Sequence, residues 1–597
     1  MPASPKATSR WFTLIALLIP VLVLAAVEGG LRIAGFGKTY PLFVPASQPG
    51  YLVPNPELIQ RYFHVGAPAP NVSPDTYYFE KNKPADQLRI VLMGGSTAAG
   101  FPYGRFGSPA GLLEARLQAE YPNLDVRIIS VAMSSVNSYT LRDITDEVIG
   151  IQPDAVLIYA GHNEYLGVMG AGSVYAGFGS HFANVMFLKL KELRLFQALQ
   201  WLMQPRSQPT PGNGDARTVM AQVAQSQHIP YNSAVFKAGE FQFTDNMAAV
   251  LSQLNDAGVP TLVSSIAANL QHQPPFASAP LANSDSNSIS SAATNTLSSQ
   301  HADALAGIAS ADVHYRLASA ALPDSPGLAL THFIHAMDAD LLRFRAPSHF
   351  NTLLKQLAHT PHATWVDSYS LLAAHSPNDI IGESLMLEHL HPNEKGYFLI
   401  AEAFYQQLKA QHILPEPVHS LSADEAWQQR PLTAVDARVT ELKIANLTSD
   451  YPFQRSHTPF TPPAANSAVG RFALARYNGT PWLAQQPRLL TWYQQQEDWE
   501  SAANVAAALA SALPFKADIA QVAAQLSLRA GRPFRAWYFA RQAVTHDNNS
   551  LMYQLTLAES LFKAGQKSAA IRQLRAAKEQ FPDSQRPDYF LQQLGAS

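Results

Sequence analysis

The sequence predicts an α/β domain, a three-layer α/β/α sandwich around a mostly parallel sheet, joined to a C-terminal all-α helical repeat domain. Three observations carry this. Short apolar runs alternate with amphipathic stretches between residues 88 and 411, as expected of strands buried on both faces and the helices that cover them. A 34-residue step recurs near the C-terminus. A chain of 597 residues also exceeds what one hydrophobic core organises, so two or three domains are expected.

The first ten residues, MPASPKATSR, carry Lys6 and Arg10, and Trp11 to Val27 then contains no charge before Glu28. As a helix that run spans about 25 Å, near the roughly 30 Å of a bilayer core, and Gly29, Gly30 and Leu31 extend it toward the interface. Residues 11–31 therefore read as a transmembrane signal anchor. Positive charge ahead of the span puts residues 1–10 in the cytoplasm. The expected location is the bacterial inner membrane, crossed once, with the bulk of the chain in the periplasm or outside the cell. A cleaved signal peptide is the competing reading, because LVLAA offers small residues. The uninterrupted LRIAGFG favours retention.

Residues 32–87 read as a linking or wrapping segment, rich in Pro, Tyr and Asn between 40 and 85. From Leu88 the alternation begins. LRIVLMG, VRIIS, DAVLIYAG, VPTLVSSIA and ATWVDSY read as strands. PAGLLEARLQAEY, SYTLRDITDEVIG, MAAVLSQLNDAG, FNTLLKQLAH and EKGYFLIAEAFYQQLKAQ read as helices. Insertions interrupt the rhythm at about 168–235, which includes the loop-like SQPTPGNGDA, and at about 276–350, which includes a Ser/Ala/Asn-rich tract too poor in bulk to build a core. A domain boundary is expected at 412–425, ending in helical SADEAWQQR. Residues 412–597 follow as the helical domain, clearest over 497–597. There Gly531 and Gly565, Ala536 and Ala570, and Ala543 and Ala577 each lie one 34-residue step apart. This helix-turn-helix period resembles tetratricopeptide repeats, which implies a groove for a protein partner or simply a packing wing.

Composition narrows the functions. The net charge of −3 comes without a basic tract, so no nucleic acid is expected. The absence of cysteine excludes disulfides, thiolate catalysis and cysteine-ligated metal. The nineteen histidines show no metalloprotease-like spacing, and neither metal nor cofactor is expected.

The chemistry concentrates at strand ends, where sites form in parallel sheets. IVLMGGSTAAG ends a strand on Gly94-Gly95-Ser96, a turn that presents the Ser96 hydroxyl beside converging backbone N–H groups. No Gly-Lys-Ser/Thr follows, so it is not a Walker loop. LMLEHLHPNEKGYF places Glu388 three residues before His391. His391 can take the serine proton while Glu388 fixes its tautomer, with His389 the next candidate base. DAVLIYAGHNEYLG brings Asn163 to a neighbouring rim. Its carboxamide, the Ser96 N–H and a third N–H from VAMSSVNSY can stabilise an oxyanion. DADLLRFRAPSHFN holds Arg343 and Arg345, readable as salt-bridge partners or as a grip on an anionic or sugar substrate.

Together these blocks resemble the SGNH/GDSL hydrolase superfamily, especially bacterial membrane-anchored members with helical repeats. Gly94-Gly95-Ser96 stands for the family's Gly-Asp-Ser, Gly161-His162-Asn163-Glu164 for its Asn block, and Glu388-His389-Leu390-His391 for its Asp-x-x-His. The second-block glycine falls on Ser135, or on Ala132 if the turn is shifted. The resemblance implies Ser96, His391 and Glu388 as the catalytic set, and Ser96, Ser135 and Asn163 as the oxyanion hole. Gly95, His162, Glu164 and His389 are the expected substrate contacts. The implied activity is cleavage of a short acyl ester on a glycan or lipid through an acyl-serine. The alternatives are an acyltransferase using the same residues, or an inactive scaffold acting through its repeats.

Overall fold

The computed structural model describes residues 10–63, 69–173, 179–203, 220, 228–280, 310–359, 363–456 and 458–596. SQPTPGNGDA and most of the Ser/Ala/Asn-rich tract lie outside them.

Where the sequence predicts an irregular linker, three short strands form an antiparallel ribbon: β1 (Phe43–Pro45), β2 (Tyr51–Pro54) and β3 (Phe79–Glu80), in the order β1-β2-β3. Prolines at the strand ends and the long excursion before β3 hide it from a period-two reading. The segment does wrap. Tyr51 and Tyr78 pack edge-on against Phe515, with centroids 5.4 and 5.3 Å away.

The main sheet has five strands, β4 (Gln87–Gly94), β5 (Asp125–Ser130), β6 (Ala155–Tyr159), β7 (Thr261–Ser264) and β8 (Thr364–Val366). All pairings are parallel and the order is β5-β4-β6-β7-β8. Each coincides with a predicted strand. β4 is buried at every position, which explains its unbroken apolar run: a strand with helices on both sides has no polar face. Its one charge, Arg89, is matched by acceptors, the Gln87 Oε1 (2.7 Å), the Ile151 carbonyl (2.7 Å) and the Glu80 carbonyl (2.8 Å).

Right-handed crossovers in this strand order send the covering helices to opposite faces. Helices Ser138–Gly150, Ala234–Asp256 and Phe350–Ala358 form one group, and Pro109–Glu120 packs with Glu394–Ala410 in the other. Their starts carry caps: Ser108 Oγ accepts from Gly111 N (3.1 Å), and Asn393 Oδ1 from Gly396 N (3.0 Å). The strand order reverses at β4, flanked by β5 and β6, and such switch points open a crevice at the carboxyl ends.

Helix Arg10–Ile33 is long and apolar enough, from Leu14 on, to cross a membrane, and that stretch is not buried against the rest of the chain. Glu28 accepts hydrogen bonds from Arg194 N (3.0 Å) and Leu195 N (2.8 Å), at the start of helix Arg194–Met203.

The C-terminal region is helical with repeat-like packing. Helices Trp499–Ala512, Pro533–His546 and Lys567–Gln580 begin at 34-residue steps, and the repeated Ala536, Ala543, Ala570 and Ala577 are fully buried where helices meet. The junction is not a free linker. Val418 N donates to the Glu120 carbonyl (3.0 Å), and Tyr121 Oη to the Pro415 carbonyl (2.9 Å). Farther on, Tyr538 Oη donates to the Val126 carbonyl (3.2 Å) and Gln542 to Asp125 (2.9 Å).

Candidate active site

Ser96 lies two residues beyond β4, and the two glycines before it have different reasons. A Cβ on Gly94 would fall 2.2 Å from the Tyr159 carbonyl oxygen, so β4 and β6 approach closely only with glycine there. A Cβ on Gly95 would sit 2.9 Å from Asn163 Nδ2. Gly95 thus leaves room for the carboxamide.

The Ser96 hydroxyl meets His391 Nε2 at 2.8 Å. His391 Nδ1 bonds Glu388 Oε1, which also accepts from the His391 backbone N–H at 2.9 Å. Oε2 of Glu388 bonds His389 Nδ1 and accepts the His389 backbone N–H at 2.8 Å. One carboxylate therefore orients two imidazoles. Burial holds both rings below the ordinary histidine range, His389 further because His391 and Arg345 also face it. A neutral His391 has its lone pair free to receive a proton at neutral pH.

The loop carrying these groups is braced by Asn269, which no sequence motif marks, and behind it by Arg345. Asn269, five residues past β7, donates its backbone N–H to the His389 carbonyl (3.0 Å) and its Nδ2 to the Glu388 carbonyl (3.1 Å). Arg345 Nη1 bonds the Asn269 carbonyl at 2.9 Å and its guanidinium pairs with Asp340 at 3.2 Å. Arg343 donates to the Ile229 carbonyl (2.7 Å) and lies 4.6 Å over the Phe236 ring. Both arginines are buried braces, and neither borders the cavity above Ser96. A polar side chain just past a strand's carboxyl end was the only sequence signal for Asn269.

Asn163 donates one amide hydrogen to the Val136 carbonyl at 2.9 Å, and its carboxamide borders the cavity above Ser96. Ser135 borders it too, with φ 64°. That is the left-handed backbone that favours glycine, at the position where the resemblance expects one. Ala132 does not border it, and its N–H is taken by Ser130 Oγ at 3.3 Å. The Val168 N–H to Ser135 carbonyl bond (2.7 Å) ties the Ser135 turn to the Asn163 loop.

The cavity measures about 550 Å³. Its floor is Ser96, Ser135, Asn163, His389 and His391. One wall comes from Asn71, Val72 and Ser73 of the wrapping segment, and another from Lys443, Asn446, Leu447 and Tyr477 of the helical domain. Lys443 Nζ donates to the Pro102 carbonyl at 3.0 Å, and burial lowers its pKa. Phe101 packs on the His391 ring, centroids 4.7 Å apart.

Three expected substrate contacts do not border this cavity. Gly95 serves Asn163. His162 turns into a separate space of about 220 Å³ beside Ile266 and Tyr369, its Nδ1 accepting from Ala346 N at 3.2 Å. Glu164 is fully buried and holds the loop instead, accepting from Ser138 Oγ (2.7 Å), Ser138 N (3.2 Å) and Gln242 Nε2 (2.7 Å). Burial pushes its carboxyl up to about 7. His389 does border the cavity.

Chemically, a hydroxyl bonded to a buried, carboxylate-oriented imidazole, with an amide and a turn of backbone N–H groups beside it, is equipped for nucleophilic attack on a carbonyl.

No family model and no curated protein matches the chain. Among solved structures it is similar to a GDSL-like lipase from Bacteroides thetaiotaomicron, at 11% identity and a TM-score of 0.24, covering 54% of this chain and 89% of that one. It is also similar to a catalytic mutant of an acetylxylan esterase from Geobacillus stearothermophilus, at 12% identity and a TM-score of 0.25, covering 55% and 96%.

Proposed function

We propose that this protein is an SGNH-type serine esterase that removes a short acyl group from a glycan or lipid. The observation that carries the reading is the unbroken relay from Ser96 Oγ through His391 to Glu388. Ser96 Oγ attacks the ester carbonyl as its proton passes to His391 Nε2. The resulting oxyanion is held by the N–H groups of Ser96 and Ser135 and by Asn163 Nδ2. His391 then gives its proton to the departing alcohol. Water, deprotonated by His391, releases the acyl group from Ser96. An acceptor alcohol in place of that water would make the same residues an acyltransferase, and product analysis with and without free sugar separates the two outcomes.

A fluorophosphonate probe tests the serine directly. Full-length protein should be labelled and Ser96→Ala, with unchanged circular dichroism, should not. Folded wild type that resists labelling, or equal labelling of both, would exclude the mechanism and leave a scaffold acting through its helices.

The reading also places helix Arg10–Ile33 across the inner membrane with the cavity on the periplasmic side. Next to it, helix Arg194–Met203 exposes Leu199, Trp201, Leu202 and Met203, and Phe36 packs edge-on against Trp201 at 6.4 Å. An apolar face beside a spanning helix suits the bilayer surface. Protease added to intact spheroplasts should degrade the C-terminal domain; full protection contradicts this orientation.

A further inference from the structure

Helices Ala311–Ala321 and Pro326–Ala339 form a hairpin in the second insertion, packed over Ala268 and Leu270 with a small core of mostly modest side chains, Ala318, Ala321, Ala329, Phe333 and Met337. Three histidines converge inside it. His314 comes from the first helix, and His332 and His335, one turn apart, come from the second. A ring nitrogen of each lies within 4.8 Å of the other two. His314 Nδ1 and His332 Nδ1 are 3.1 Å apart. Both rings are almost fully buried, His335 is half-buried, and His335 Nδ1 is shielded from solvent without a hydrogen-bond partner.

We propose that His314, His332 and His335 bind a single Zn²⁺, with water in the fourth position. Metal–nitrogen bonds of about 2.0–2.1 Å in a tetrahedron set neighbouring ligand atoms about 3.3 Å apart, and the His314–His332 separation is already near that value. Three imidazoles without a carboxylate suit Zn²⁺ and the nitrogen-preferring ions around it, whereas Mg²⁺ and Ca²⁺ require oxygen. The partly exposed His335 gives the ion a way in. The sequence concealed the group because its members lie on two helices, 18 residues apart at the nearest crossing.

The bound ion cross-links the hairpin, whose own apolar core is slight. The effect extends to the segment beneath. Between Ala268 and Leu270 stands Asn269, which grips the Glu388 and His389 carbonyls. The site is thus a staple beside the catalytic loop, with no part in the reaction.

The test uses full-length protein in detergent, stripped with chelator and titrated with Zn²⁺ against a chromogenic competitor. Wild type should bind one Zn²⁺ per chain, and thermal unfolding should shift upward with Zn²⁺ but not with Mg²⁺. His335→Gln, at a half-exposed position, should fold normally, bind at least tenfold more weakly and lose the zinc-dependent shift. His389→Ala should still bind, which separates this site from the Glu388-His389-His391 group, whose ligand atoms also cluster. No binding by wild type, unchanged binding by His335→Gln, or binding lost only with His389→Ala would overturn the proposal.

Discussion

Each Glu388 oxygen holds a different imidazole, Oε1 that of His391 and Oε2 that of His389, and each also accepts a backbone N–H. The extra methylene relative to aspartate is therefore used: it lets the carboxylate reach across both rings from inside their own loop. Shortening it in Glu388→Asp withdraws one contact or the other. Asn163 has the opposite character, with one hydrogen committed to Val136 and the carboxamide otherwise open to the cavity. On the proposed mechanism its contribution belongs to the transition state, so Asn163→Ala should lower kcat about 10²–10³-fold and leave KM within a few-fold. Steady-state kinetics on p-nitrophenyl acetate check this; an equal change in KM alone would assign Asn163 to ground-state binding. Ser96, Asn163, Glu388 and His391 were legible in the sequence because a strand that breaks into glycine, and a Glu-x-x-His before a helix, are local patterns. Asn269 was not, because its value lies in a contact 119 residues away. Nor could a pattern show that Glu164 points inward.

At the level of elements, the repeats contain a backbone irregularity that tests their equivalence. Gly531 and Gly565 precede successive repeat helices with φ 70° and 79°, and Glu497 takes the same step one repeat earlier with φ 56°. Glycine adopts this conformation freely, whereas a side chain costs about 1 kcal/mol there. Gly531→Ala should therefore destabilise the chain by about 1 kcal/mol, while Glu497→Gly should be neutral or mildly stabilising; urea unfolding of the two variants decides. Losses of equal size would mean that Glu497 is held by its side chain. The 34-residue period was readable because helix contacts repeat small residues at fixed steps. The five central strands were readable because complete burial removes polar positions. The ribbon β1–β3 and the helices His181–Leu190 and Arg194–Met203 were not. Strands of two to four residues are too short for a period to register, and helices within an insertion take their faces from neighbours that sequence does not reveal.

Across the whole molecule, the helical domain is part of the site. Lys443, Asn446, Leu447 and Tyr477 wall the cavity, and contacts such as Arg541 with Asp86 (2.8 Å) and Arg105 with the Ser511 carbonyl (3.1 Å) fix the domain to the sheet. On the proposed esterase reading, this wall is a surface that the larger part of an ester could touch. Lys443→Met and Tyr477→Ala should leave turnover of p-nitrophenyl acetate within about threefold and reduce turnover of an acetylated oligosaccharide about tenfold, near 1.4 kcal/mol. A uniform loss on both esters would instead point to displacement of the relay. The order of synthesis gives this arrangement a consequence in time. Ser96 and Asn163 leave the ribosome hundreds of residues before the helices that enclose them, and His391 is made between the two. A growing chain cannot possess its finished pocket until the last third has docked, so the enclosing wall arrives later than the hydroxyl it surrounds.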